Sequence, residues 1–203
     1  MNRLNLVIIF GVILFFLNNS TLFASEKNYK IIKLVNDQVI TNYDLEQRIK
    51  LYSTLNNINI NDENIDMIAN ELLLIMIDEK LQLEQINSYK ISVNESEINN
   101  YIERAYLNES NSLNEFIDVL DNNNIDIGIL KKSIEIMIGW NKLTSRLYYQ
   151  TSEINKIDLE NLINEDPSLS KKQAEDMLLQ KQIGLRAKKL LRDIKIEANI
   201  ENR

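Results

Sequence analysis

Apolar residues recur along this chain mostly at the three- and four-residue spacing of a helix face. Between about Asp62 and Asn87, the positions Ile65, Ile68, Ala69, Leu72, Leu73 and Met76 keep that spacing. Leu74, Ile75 and Ile77 load the other faces of the same segment. A helix that is apolar all round sits centrally or packs on two sides. The unbroken apolar run Leu72–Ile77 is far shorter than the roughly 20 residues of a membrane span.

A second segment has the same character. Asp126 caps a helix running to about Tyr149, with Ile127, Leu130, Ile134, Met137 and Ile138 as one stripe and Ile136, Trp140, Leu143 and Leu147 as another. Two stripes predict a helix that bridges two layers or lines a groove. The first stripe keeps its spacing without interruption and reads as core. The second, continued by Tyr148, is mixed with Asn141, Lys142, Ser145 and Arg146, as at a groove rim.

Shorter helices fill most of the remainder. Thr41, with Asp44 three positions on, caps a helix to about Leu55. Ser92 or Asn94 opens a third helix through Ile98, Ile102 and Tyr106, and Ser112 caps a fourth through Phe116 and Leu120. A helical piece spans Asp158 to Ile163, and Pro167 is expected in the first turn of a last helix ending near Arg192. Extended runs lie near the chain ends. Lys30–Val35 and Val39–Ile40 flank the turn pair Asn36-Asp37 as a hairpin, and Ile194–Ala198 alternates like a strand. That last strand has no local partner, so the two ends are expected to pair. The predicted fold is mostly α, a helical bundle with a small β-sheet made by an N-terminal hairpin and a C-terminal strand.

The first residues read as an address. Arg3, an apolar run to Leu17 broken only by Asn5, and Ala24 after a polar stretch describe a signal peptide over residues 1–24. The apolar run is short for a membrane anchor, although an uncleaved inner-membrane anchor is the alternative. Cleavage after Ala24 removes Phe10, Phe15, Phe16 and Phe23 and leaves Phe116 as the one Phe of a core built on Ile, Leu and Tyr.

Composition narrows the chemistry. The chain has no Cys and no His, so Cys/His zinc sites, disulfides and His-dependent nucleophile systems cannot form. Four Gly and one Pro in 203 residues leave no Gly-rich phosphate loop and too few turn formers for an all-β domain. A net charge of -7 opposes nucleic-acid binding, which needs a cationic surface. Abundant Asn is dispersed among periodic Ile and Leu, as composition bias in an AT-rich genome would leave it. No pair of carboxylates stands out by spacing. Neither enzymatic activity, nor a metal, nor a cofactor is expected.

Charge is uneven. Lys171 to Arg192 holds seven basic residues and two acidic ones, Glu175 and Asp176, in an otherwise acidic chain. Such a face is either solvated and docked on the acidic body, or meets an anionic membrane surface or acidic clients.

The stretch Val35-Asn36-Asp37-Gln38-Val39-Ile40-Thr41-Asn42-Tyr43-Asp44, with Arg48 after it, resembles the opening of the SurA-type periplasmic chaperones. The similarity continues around Ile77-Asp78-Glu79-Lys80-Leu81, in Lys90-Ile91-Ser92, in Ile134–Arg146 with Trp140, and in Leu190–Ala198. Members of that family commonly carry parvulin prolyl isomerase domains before the closing helix. Here that position holds only Asn155–Leu169, and parvulin sites in the family use His, so the resemblance does not imply isomerase activity. It implies a single chaperone module, residues 25–203, with a main helical part (25–154), a short linker (155–169) and a closing helix and strand (170–203). It implies ATP-independent binding of unfolded outer-membrane or other envelope proteins in the periplasm, in an apolar groove. The alternatives are an assembly subunit of an envelope complex with the same fold and, less favoured, a prolyl isomerase. Holding many sequences calls for adaptable aromatic and Met contacts, and the candidates are Tyr106, Met137, Trp140, Leu143, Leu147, Tyr148 and Tyr149.

Overall fold

A computed structural model describes residues 29–107 and 112–203. The leader read at residues 1–24 lies outside the described residues. Strands β1 (Ile31–Val35) and β2 (Gln38–Thr41) form the hairpin, followed by helices α1 (Asn42–Asn56), α2 (Ile65–Ser88), α3 (Glu95–Tyr106), α4 (Leu113–Asn122) and α5 (Ile127–Tyr148). A 3-10 turn, Tyr149–Thr151, leads to α6 (Lys156–Glu165), α7 (Lys171–Glu197) and strand β3 (Ile200–Asn202).

Side chains mark the helix starts. Thr41 and Asp44, Asn94 and Glu97, Ser112 and Glu115, and Ser170 and Gln173 each form a reciprocal capping box, satisfying N–H groups that a helix leaves without an internal partner. Of the two starts expected for α3, Asn94 is the cap.

Two sequence expectations at the C-terminal end are corrected. Pro167 does not start the last helix. The Asp166 carboxylate accepts from the N–H and hydroxyl of Ser168, so Asp166-Pro167-Ser168 folds as a turn, where proline's fixed φ suits the second position. Ser170 then caps α7. The segment Ile194–Ala198 is not a strand either, because α7 continues to Glu197. Ile194 extends the helical row Ala187, Leu191 into the core, while Ile196 faces solvent. That apparent period of two is one inward and one outward helix position.

The chain ends do meet, a few residues further on. The sheet order is β2-β1-β3, antiparallel throughout, with Val35 opposite Ile200 and Lys33 opposite Asn202. Asn36 adopts φ 51° at the hairpin turn, a left-handed conformation that Asn tolerates. Its N–H donates to the Asn199 carbonyl at 2.8 Å, and its side-chain oxygen accepts from the Asn199 N–H at 2.9 Å.

Three apolar clusters hold the fold. Val35 and Ile40 of the sheet pack on Met76, Ile77 and Leu81 of α2, covered by Leu191 and Ile194 of α7. Ile86 of α2, Ile136, Trp140 and Leu143 of α5 and Ala187 of α7 form the second. Leu51, Ile102, Leu120, Ile125, Leu130 and Ile134 build the third from α1, α3, α4 and α5. Helix α5 therefore bridges two clusters, as its two stripes require. Buried Gln47 of α1 places its start: the amide donates to the Asn124 carbonyl at 3.1 Å and accepts from the Asp126 N–H at 3.0 Å. Gly139 lets α5 approach α2, because a Cβ there would sit 3.0 Å from Ile86 Cδ1.

Removing Lys171–Arg203 deletes β3 and the α7 cover over both α2 clusters. The expected outcome is loss of the cooperative thermal transition, read by circular dichroism; an unchanged transition would contradict this account. The helical glycines differ in a second test. Nothing lies within 4 Å of the place a Cβ would take at Gly184, so Gly184→Ala should stabilise by about 0.5–1 kcal/mol. Gly139→Val overpacks the Ile86 contact and should cost about 1–3 kcal/mol; denaturant midpoints measure both.

Candidate functional groove

An apolar depression of about 480 Å³ opens between α1, α2, α3 and α5. Leu51, Tyr52 and Leu55 line it from α1, and Leu72 and Ile75 from α2. Met137 and Trp140 come from α5, and Tyr101 and Tyr106 from α3. The volume lies in the usual range for ligand cavities, about 300–1,000 Å³, and accepts a few side chains rather than a folded domain. Ile75 is 44% exposed, so an apolar wall faces water.

The wall's chemistry follows from helix geometry. α2 buries Ile68, Leu72 and Met76 against its neighbours, and its surplus apolar face turns Ile75 into the groove. Tyr106 stacks on Phe116, ring centroids 5.8 Å apart, and meets Tyr101 edge-on at 6.5 Å. Burial, with Tyr101 beside it, pushes the Tyr106 phenol above its ordinary pKa, so it stays a neutral amphipathic contact at any physiological pH.

One ion pair stands in this apolar setting. Arg48 Nη2 donates to Glu79 Oε2 at 2.5 Å, with both side chains mostly buried (14% and 17% exposed). Among the described residues the buried Arg48 Nε has no hydrogen-bond partner. A half-satisfied charged group of this kind depends on its one partner. At the surface edge, Lys142 of α5 binds Glu97 of α3 at 2.7 Å and donates to the Ser92 carbonyl at 2.9 Å. That contact, followed by the Asn94 N–H, holds the Glu97 carboxyl below its ordinary pKa of 4.5.

The groove brings together Tyr106, Met137 and Trp140 among the residues picked from the sequence. It does not include the others. Leu143 is fully buried and packs in the α2–α5–α7 cluster, so its place on the second stripe makes it core and not rim. Leu147 is half-buried against the same cluster. Tyr148 lies under the Arg186 guanidinium, 5.6 Å from its ring, where an Arg from α7 occupies its face. Tyr149 is exposed in the 3-10 turn beyond α5. Sequence reasoning missed Tyr52, Leu55, Ile75 and Tyr101. The extra apolar face of α2 signalled Ile75, but which helix would stand opposite was not readable from periodicity.

This arrangement is an α-helical fold, closed by a terminal sheet, with an open apolar groove. Among the described residues no group of three or more Asp or Glu is placed to hold a metal ion. No described helix is long and apolar enough to cross a membrane. The chain belongs to the SurA-like N-terminal domain family, whose model matches residues 2–144. The match ends within α5, so α6, α7 and β3 lie beyond it. Domains of this family are of the chaperone type and non-catalytic. No curated protein matches the chain.

Core and pair variants should separate. Ile134→Ala, in the α1–α3–α5 cluster, should cost about 2–5 kcal/mol, and Glu79→Ala about 1–3 kcal/mol by leaving Arg48 unpaired; urea denaturation measures both. Glu97 provides a pH test. Its folded pKa is depressed, so its stabilising contact is present above about pH 4.5 and is lost as pH falls through the lower folded value. Lys142→Ala should raise the Glu97 pKa, seen as a shifted NMR titration of its side-chain carboxyl carbon.

Proposed function

We propose that the protein is an ATP-independent periplasmic chaperone that holds unfolded outer-membrane or other envelope proteins in the groove between α1, α2 and α5. One observation carries this reading: on a domain of the SurA-like family, the open depression is walled mainly by apolar, aromatic and Met side chains, an exposed Ile75 among them, beside Arg48, Asp78, Glu79 and Gln82. Large ring faces and a flexible thioether fit many sequences without demanding one. Shallow contact spread along a groove keeps affinity low enough for release, and release by simple dissociation needs no nucleotide. Export through the leader, cut after Ala24, and a single module from residue 25 onward belong to the same proposal.

The measurement pairs stability with aggregation suppression. Ile75→Ser and Met137→Ser should keep most of the thermal stability yet weaken suppression for several unrelated unfolded barrel proteins. Tyr149→Ser, outside the groove, should leave suppression unchanged. The reading is wrong if the groove variants hold clients normally while losing as much stability as Ile134→Ala. It is also wrong if the protein co-purifies with one partner at fixed stoichiometry and suppresses no aggregation, which is the behaviour of an assembly subunit.

A further inference from the structure

Helix α7 distributes its charges by face. Ile183, Ala187, Leu191 and Ile194 turn inward. At about 100° per residue, the opposite side then carries Lys181, Leu185, Lys188, Lys189, Arg192 and Ile196. Leu185 is 60% and Ile196 76% exposed. No acidic residue falls on this side. The acidic residues of this half, Asp193 and Glu197, stand at its flank, Asp193 lying 3.6 Å from Arg192.

The other cations in this half of the helix are already used. Lys195 binds Asp78 at 2.6 Å, and Arg186 binds Thr151 and covers Tyr148. Among the described residues, Lys181, Lys188 and Lys189 pair with no carboxylate. At the N-terminal end the face is bounded by α6, whose Asp158 and Glu165 border the same depression as Lys181 and Leu185. From Leu185 to Ile196 the face is bare for about 17 Å.

We propose that this face docks the protein on an anionic phospholipid surface. The spacing decides between occupants. A partner helix needs an apolar seam repeating every three or four residues, whereas Leu185 and Ile196 stand three turns apart with only basic residues between them on this side. Isolated apolar side chains can each enter the headgroup layer, while Lys and Arg stems lie along it and their charges meet lipid phosphates. The chain carries a net charge of -7, so the rest of the body is repelled and α7 is the attractive contact. Two apolar anchors make this binding reversible and salt-sensitive. It does not depend on the chaperone reading, because Ile75 and Met137 of the groove are not on this face.

Vesicle co-sedimentation tests it. Every described element lies within Ile31–Asn202, so a chain beginning at Ser25 is compared with the full chain to separate any contribution of the leader. Vesicles containing phosphatidylglycerol should bind the Ser25 chain about tenfold or more better than pure phosphatidylcholine vesicles at low salt. Binding should fall as the Debye length shortens from about 30 Å at 0.01 M to about 8 Å at 0.15 M salt. The triple variant K188E/K189E/R192E should lose that preference with an unchanged thermal transition. L185S/I196S should weaken binding several-fold but keep the salt dependence. Equal binding to neutral vesicles, or an unaffected triple variant, overturns the proposal. So does a dimer in sedimentation equilibrium that the triple variant dissociates, since a second copy would then cover the face.

Discussion

The fold turns on one pairing: β1 is the middle strand of its sheet, and its outer partner is the last strand of the chain. Val35 is fully buried because β2 and β3 flank it and α2 and α7 cover it. A hairpin alone is marginal in water; three strands packed on a helix are not. Pairing of such distant segments carries a loop-closure cost, and that cost grows only slowly with the length enclosed. It is offset by burial along the inner side of α7, which leads directly into β3 and packs on the same α2 cluster as the sheet.

Within that frame, α5 is the common wall. One side joins α1, α3 and α4, and the other joins α2 and α7. Its position is fixed from outside by a buried amide, Gln47, and by the close approach that Gly139 allows. The groove lies where Leu51, Tyr52 and Leu55 of α1 and Leu72 and Ile75 of α2 stand around α5. Ile75 in that lining faces water. A protein selected only for stability would fill such a depression, since exposed apolar area of this kind also invites aggregation.

Much of this was legible in the sequence, for a physical reason. Helix periodicity, capping boxes and the Asn36-Asp37 turn are local signals, and they placed the hairpin, α1 to α5 and the meeting of the ends. The misreadings came where one pattern satisfies two structures. Ile194-Lys195-Ile196 alternates like a strand, yet the inward row Ala187, Leu191, Ile194 already belonged to a helix in progress. Pro167 fits a first helical turn and also a tight turn, and the Asp166–Ser168 hydrogen bonds decide for the turn. Of the groove lining, Tyr106, Met137 and Trp140 were picked for their aromatic or thioether chemistry rather than from spacing, whereas Leu143, picked from its stripe, is core. Its row is apolar on a face that α2 and α7 happen to cover, and tertiary partners are not written in the period of a single helix.

The remaining question is why Arg48 and Glu79 sit beside this groove rather than an apolar pair of similar volume. Desolvating two charges is costly, and packed hydrophobic replacements are often as stable or more so. Stability therefore does not account for the pair. Its geometry offers another account. Arg48 lies on α1 and Glu79 on α2, the two helices whose separation sets the width of the groove, and their contact is a single directional bond at 2.5 Å. Apolar side chains there would also keep a contact distance, but without a preferred direction, so the helices could shift or rotate against each other and stay in contact. A charged hydrogen bond has a preferred length and resists both closer approach and separation. Together with the Lys142–Glu97 contact between α5 and α3, the pair fixes direction as well as distance between helices that line the groove, which apolar contact alone would not do.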